Sequence, residues 1–306
     1  MTDKRPIRRR RSELSTPATS EKMMAKAAGS DADLVFLDLE DAVAPNAKDV
    51  ARKQAAAALR DLDWGDKTRA VRVNGVHTTW CLDDITEVVG TAGAHLDVLI
   101  LPKVKAPRDV WFVETLLTQL EYKHGLKVGA IGLEVLIEEV EALAAVDAIA
   151  ASSPRLEALI LGVGDLAASH GMRSAHIGTT TGYPGDIWHS ARTKVIVAAR
   201  SNGIDAIDGP FGDFKNDDAY LEQANWSAEL GAVGKWAIHP NQVTLANRVF
   251  SPSEEEIAQA TKVVTAMREA EAAGEGAVAI DGVMVDAATA RIFETVLERA
   301  SVVTPS

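Results

Sequence analysis

Glu134 and Asp165 stand about one strand–helix unit apart, each where an apolar run gives way, in VGAIGLE and in EALILGVGD. On neighbouring parallel strands the two carboxylates would face each other over one end of a sheet. A carboxylate pair with open positions suits Mg²⁺, with Mn²⁺ as a substitute, because such hard ions take oxygen donors and keep room for substrate oxygens. There is no cysteine cluster and no H-x-x-H or H-E-x-x-H pattern, which disfavours zinc. The plainer alternative is that both acids are salt-bridge partners. Arg72 lies in the otherwise apolar AVRVNG and needs an anionic partner there. That partner is either Glu40 or Asp41, or a substrate carboxylate or enolate oxygen, which the planar guanidinium fork suits. The glycines of Gly162-Val163-Gly164-Asp165 let an anion approach the main-chain N–H groups, so Gly164 and Asp165 are candidate substrate contacts.

These residues need a scaffold that brings them together. Short apolar or β-branched runs begin near Ser12, Leu34, Arg69, Asp97, Val128, Glu157, Ile204 and Gly234, with helical patterns between them. A repeated strand–helix unit with eight such runs predicts a closed parallel (β/α)8 barrel. Helices are predicted from Thr19 or Ser20 to Gly29, Asp49 to about Leu62, Pro107 to about His124, Ile137 to Ala151, Trp188 to Gly203 and Asn216 to Gly231. The long gap between Gly162 and Ile204 holds SHGMRSAHIGTTTGYPGD, the composition of a functional loop or lid.

In such barrels the site lies at the carboxyl ends of the strands. The second run ends on Asp38-Leu39-Glu40-Asp41 and the third carries Arg72 and then Asn74. The fourth ends on Pro102-Lys103, the fifth on Glu134, the seventh on Asp208 and the eighth on His239-Pro240, while the sixth runs into Gly162–Asp165. Ionisable groups are therefore expected to converge on one rim. Lys103 reads equally as a rim charge or a barrel salt bridge, and the histidines, including His239, read as structural or surface residues.

The barrel is expected to span residues 1–250, with a basic N-terminal tail, and residues 251–306 to form a C-terminal helical extension and lid. Ser251-Pro252-Ser253-Glu254 reads as the start of a helix to about Ala273, AVAIDGVMVD reads as a hairpin turning at Asp281-Gly282, and a last helix covers about Ala287 to Ala300.

The 306 residues are 47% hydrophobic and 25% charged, enough to bury a full core. No uncharged apolar stretch reaches roughly 18 residues, so no membrane span is expected, and MTDKRPIRRRR is followed by no apolar segment, unlike a secretory signal. A lone Cys81 points to a reducing cytoplasm. A net charge of −12 argues against nucleic acid as a partner. The basic run Arg8 to Arg10 reads as a solvated tail, and Arg11 abuts the first strand.

The motifs LDLEDAVAP, RVNG, LPKV, GLEVLIE, GVGDLAASHG, DGPFGDF and GKWAIHPNQ, in this order, resemble the citrate lyase β-subunit-like family of the HpcH/HpaI aldolase superfamily, from Arg11 to about Phe250 and more weakly beyond. DGPFGDF and GKWAIHPNQ are most similar to its malyl-CoA lyase branch, which cleaves malyl-CoA reversibly to acetyl-CoA and glyoxylate and often takes β-methylmalyl-CoA to propionyl-CoA. The resemblance implies that Glu134 and Asp165 are magnesium ligands and that Arg72 holds the substrate carbonyl and carboxylate. It implies that Glu40 and Asp41 orient Arg72 and metal-bound waters. Arg11, Lys22 and Lys26 match basic residues near the coenzyme A phosphates, coenzyme A being part of the substrate. Asp286 resembles an acid/base supplied by a neighbouring subunit's lid, with Asp281 as its competitor, and a homotrimer or homohexamer follows. ELSTPATS departs from the family pattern, with Ala18 in place of a glycine.

Rival readings are a malyl-CoA thioesterase, a citramalyl-CoA lyase, a lyase subunit acting on an acyl-carrier-protein thioester, a phosphoenolpyruvate-using barrel, and a non-catalytic regulatory paralogue that binds CoA esters.

Overall fold

The computed structural model describes residues 5–173 and 185–303. Most of the glycine- and threonine-rich stretch, with His176, lies outside them. The chain forms two compact units, one of Arg10–Arg248 together with the residues up to Pro6 and one running from Val249 onward together with Ile7–Arg9.

In the first unit eight parallel strands close into a barrel: β1 (Ser12–Pro17), β2 (Leu34–Asp38), β3 (Thr68–Arg72), β4 (Val98–Leu101), β5 (Gly132–Ile137), β6 (Leu156–Leu161), β7 (Asp205–Asp208) and β8 (Gly234–Ala237). Closure is made by β1 pairing with β8, Ser12 opposite Lys235 and Leu14 opposite Ala237. The helices that return the chain are α1 (Glu21–Ala28), α2 (Lys48–Asp61), α3 (Cys81–Ala92), α4 (Pro107–His124), the short α5 (Val140–Ala144) and α6 (Val146–Ala150), α7 (Val163–Ser169), α8 (His189–Ser201), α9 (Asp217–Leu230) and α10 (Pro240–Val249). The sequence signals at their ends are physical. Ser20 caps α1 by accepting from the Met23 N–H, Asn216 caps α9 through the Ala219 N–H, and Gly125 ends α4 in the left-handed conformation.

Alternate residues of each strand point inward, and they form layers. Phe36, Ile100, Leu136, Ile160 and Trp236 fill the middle of the barrel, with the Phe36 and Trp236 ring centroids 4.4 Å apart. This apolar layer divides a charged floor from a charged mouth.

The floor overturns the reading of Arg10 as part of a solvated tail. Arg10 is buried, and its guanidinium binds Glu134 at 2.8 Å, Asp205 at 3.0 Å, and Glu157, acids near the amino ends of β5, β7 and β6. Its main chain passes so close to Gly234 that a Cβ there would meet the Arg10 carbonyl oxygen at 1.7 Å. Upstream, Arg5 donates to the carbonyls of Pro154 and Asn202.

The fifth strand begins later than the apolar run around Val128 predicts. Residues 127–131 form a turn in which Gly129 has φ 85°. Its amides at Gly129 and Ile131 donate to the buried Glu121 carboxylate, which Arg155 also holds. Because the strand starts at Gly132, its carboxyl end lies beyond Glu134.

The second unit contains α11 (Glu254–Ala272), a hairpin of β9 (Ala277–Ile280) and β10 (Val283–Asp286), and α12 (Ala287–Val303). Ser253 and Glu256 form a capping box at the start of α11. Asp281 and Gly282, at φ 50° and 80°, make the hairpin turn. Val263, Met267, Ile280, Val285 and Ala290 form the unit's own small core. No helix among the described residues is long and apolar enough to cross a membrane.

Candidate active site

A cavity of about 320 Å³ opens at the carboxyl ends of the barrel strands. Leu136 and Trp236 of the apolar layer line its base, and Asp38, Asp41, Arg72, Glu138, Gly162, Gly164 and Asp165 line its walls. A larger groove of about 430 Å³ runs between α1 and α2, but Met24, Val50 and Leu62 line it with charges only as scattered neighbours. The smaller cavity has the converging polar groups that chemistry requires.

Arg72 is the best-held of these groups. Its Nε and Nη2 donate to the two oxygens of Asp38 at 2.8 and 2.6 Å. Asp38 also accepts the Glu40 and Ala42 amides at 2.8 and 3.2 Å, so the loop after β2 folds around its carboxylate. Arg72 Nη1 stands 3.3 Å from Glu40 and 3.9 Å from Asp41. The guanidinium lies over Phe36 and Trp236, 5.9 and 5.5 Å from their ring centroids. Burial alone would lower the Arg72 pKa, but Asp38 and then Glu40 and Glu138 outweigh it, and the side chain stays charged.

Glu40 and Asp41 lie beside Arg72, as the sequence predicts. The Asp41 amide donates to Glu40 Oε2 at 3.0 Å, and Lys48 Nζ holds the Leu39 and Glu40 carbonyls at 2.7 Å each. Burial pushes the Glu40 carboxyl up to about 7, with Arg72 opposing and Asp41 adding to the rise. For Asp41 burial acts upward too, but the hydrogen bond with Glu40 and the charges of Arg72 and Lys103 bring it below its ordinary value.

Asp165 and Gly164 are where the sequence puts them, in the first turn of α7 and lining the cavity. First-turn amides have no partner within their helix.

Glu134 is not at this mouth. It lies one layer below Leu136, in the floor, with Oε1 bound to Arg10 at 2.8 Å. The pleat turns Glu134, Leu136 and Glu138 all inward, so beginning β5 at Gly132 moves the rim position from Glu134 to Glu138. Glu138 is buried, and its Oε1 accepts the Lys103 amide at 2.7 Å. Gly162 leaves it room, since a Cβ there would fall 2.5 Å from the Glu138 Cβ. Burial pushes the Glu138 carboxyl up to about 8, against the pull of Lys103 and with Asp165 adding to the rise. The sequence signal that finds Glu138 is the period-two alternation itself, counted from the true start of the strand.

Arg11 is also elsewhere. It immediately precedes β1 at the floor end, and Asp33 takes its guanidinium at 2.8 Å through both oxygens. An arginine there is at the wrong end of the barrel to meet a phosphate at the mouth. Lys22 and Lys26 are exposed on α1, whose first turn follows the carboxyl end of β1. Asp208 is held away from the cavity by Lys235 at 2.6 Å and Arg192 at 3.0 Å. His239 is exposed and stacks on Phe214, centroids 5.0 Å apart. Asp286, in the second unit, accepts the Thr289 amide at 2.8 Å and so caps α12, while Asp281 pairs with Lys262 at 2.6 Å.

The donor set fits a hard divalent cation. The acids Asp38, Glu40, Asp41, Glu138 and Asp165 outnumber the bases Arg72, Lys48 and Lys103 around the mouth. Glu138 and Asp165 supply the carboxylate oxygens such an ion prefers, and among the described residues no group of three or more His, Cys, Asp or Glu side chains is gathered to hold it.

Comparison with known proteins is consistent with this geometry. The pattern of the HpcH/HpaI aldolase/citrate lyase family matches residues 11–240. The chain belongs to that family. It is an enzyme, and in sequence it is malyl-CoA lyase-like. It is 42% identical to an L-malyl-CoA/beta-methylmalyl-CoA lyase of Cereibacter sphaeroides (strain ATCC 17025 / ATH 2.4.3), over 97% of this chain and 96% of that one. It is 34% identical to a (3S)-malyl-CoA thioesterase of the same organism, over 90% of this chain and 89% of that one. Among solved structures, the protein CitE of Mycobacterium tuberculosis, in complex with magnesium, acetoacetate and coenzyme A, superposes with a TM-score of 0.74 at 28% identity, over 98% of this chain and all of that one.

Proposed function

We propose that this protein is a Mg²⁺-dependent carbon–carbon lyase that cleaves malyl-CoA, and β-methylmalyl-CoA, reversibly to glyoxylate plus acetyl-CoA or propionyl-CoA. The observation that carries the reading is Arg72, fixed by Asp38, facing the same cavity as Glu138 and Asp165. The 42% identity to a lyase of that specificity supports the choice of substrate.

Glu138 and Asp165 are the residues that would hold the cation, and Glu134 is replaced in that role. When bound, the ion supplies Lewis-acid polarisation to the oxygen at the bond being cleaved. Arg72 binds the anionic oxygen that develops as the carbon–carbon bond breaks, and its fixed aim spares reorganisation at that moment. The amides of Gly164 and Asp165 face the substrate carboxylate. Glu40 and Asp41, 3.3 and 3.9 Å from Arg72 Nη1, orient Arg72 and would orient water bound to the ion. Lys22 and Lys26 attract the phosphates of coenzyme A. Asp286 of a neighbouring copy acts as the acid/base at the thioester α-carbon, which requires an oligomer.

The test is purified protein with malyl-CoA and Mg²⁺, trapping glyoxylate as a hydrazone while following free thiol separately. Glyoxylate without initial thiol release is the expected result. Thiol release without glyoxylate would replace the lyase reading with a thioesterase, the activity named for the 34% identical relative.

A further inference from the structure

Lys103 follows β4 by two residues, and its backbone is left-handed at φ 54°. Residues with a side chain rarely adopt that region, and they keep it where surrounding contacts over-determine it. Two contacts do so here. The Lys103 N–H donates to Glu138 Oε1 at 2.7 Å. The Lys103 ammonium lies 2.7 Å from Asp165 Oδ2. One residue therefore touches both carboxylates proposed to hold the cation, one through its main chain and the other through its side chain.

The two contacts differ in kind. The amide is fixed to the strand end and cannot leave Glu138 without moving the backbone. The ammonium sits on a flexible stem whose side chain is 26% exposed, and other acids wait nearby, Glu40 Oε1 at 3.6 Å and Asp41 Oδ2 at 3.8 Å. Gly75 packs against the base of the stem, where a Cβ would be 3.3 Å from the Lys103 Cβ. The stem is held at its root, and its charged end has more than one seat.

We propose that Lys103 is the positioning residue of the cation site: its N–H aims Glu138, and its ammonium is an internal counter-cation that occupies Asp165 until a divalent ion displaces it toward Glu40 and Asp41. This rests on the metal-dependent reading above. An ammonium and a divalent ion cannot share one carboxylate oxygen, and their repulsion falls only as the inverse of distance. Lys103 then weakens cation binding while holding the acids in place for it.

The test measures Mn²⁺ binding to wild type, Lys103→Met, Lys103→Arg and Lys103→Gly without substrate, from the electron paramagnetic resonance signal of the free ion. Lys103→Gly accepts the left-handed backbone, keeps the N–H and lacks the ammonium, so it covers a failure of Lys103→Met to fold. Both uncharged variants are expected to bind about tenfold tighter, and Lys103→Arg close to wild type. Unchanged or weaker binding by the folded uncharged variants would overturn the proposal. Absence of Mn²⁺ binding by folded wild type would instead overturn the metal-dependent reading, and this inference with it.

Discussion

Arg72 and Asp38 form a two-pronged pair across β2 and β3, 2.8 and 2.6 Å, buried under the mouth of the barrel. The pair is registered by the strands themselves, since Asp38 and Arg72 are direct partners in the ladder. Asp38→Asn keeps the shape but removes the charge that fixes the guanidinium. The expected losses are about 3–5 kcal/mol of stability, typical of breaking a buried pair, and about a hundredfold or more in kcat, as for a displaced charge-stabilising donor. Denaturant unfolding and steady-state kinetics on the same preparation check both. Unchanged kcat would mean that Asp38 does not aim Arg72.

Glu138 and Glu134 are separated by one apolar layer, and substitutions should tell them apart. Glu138→Gln is expected to reduce Mg²⁺-dependent turnover by about a hundredfold or more while the protein melts near the wild-type temperature. Glu134→Gln removes a charge partner of Arg10 in the floor and is expected to lower the melting temperature while leaving the Mg²⁺ dependence of turnover intact. The reverse pattern would return the metal role to Glu134.

The sequence carries the barrel because its strand–helix period is local, and the rim because strands end on their charged residues. Arg72, Glu40, Asp41, Gly164 and Asp165 are legible for that reason. Glu134 reads as a rim residue because the run from Val128 reads as strand, whereas a glycine in the left-handed region and a carboxylate on α4 make its start a turn. An error of four residues along a strand shifts an inward group by two interior positions, enough to cross the apolar layer. Arg10 reads as tail because its partners are distant in sequence, whereas Arg11, held by the nearby Asp33, is kept from the mouth only by its place at the floor end of β1. Glu134, Glu157 and Asp205 come from strands more than a hundred residues away, and nothing near a run of arginines announces that it plugs a barrel.

The floor also makes a pH dependence. Glu13 is fully buried, and Trp236 Nε1 donates to its Oε2 at 2.8 Å. Burial first, and then the nearby charge of Glu134, push its carboxyl well above the usual range, with Arg10 opposing. A raised acid is protonated in the fold, so its contribution is fully present below the unfolded pKa and is lost as pH rises toward the folded one. Glu13→Gln cannot ionise and keeps an acceptor for Trp236. Wild type and variant are expected to have similar stability near pH 4. Above that, wild type should fall behind by up to about 1.4 kcal/mol per pH unit. Unfolding free energies across this range check it, and a constant difference would assign the dependence to other groups.

Asp286 can be tested without disturbing the helix it caps. Its carboxylate accepts the Thr289 amide and hydroxyl at 2.8 and 3.1 Å, which also hold its pKa below the ordinary value. Asparagine is as good a cap as aspartate, so Asp286→Asn should leave the second unit folded and remove only the acid. Turnover is expected to drop by about a hundredfold or more, the scale of a lost general acid/base, with thioester binding preserved in a direct binding assay. Mixing Asp286→Asn with Arg72→Ala tests whether the acid comes from a neighbouring copy. A mixed oligomer would pair an intact barrel mouth with an intact Asp286, and part of the activity should return. If exchange of subunits is demonstrated and activity stays at the level of the separate variants, Asp286 does not serve a neighbour's site.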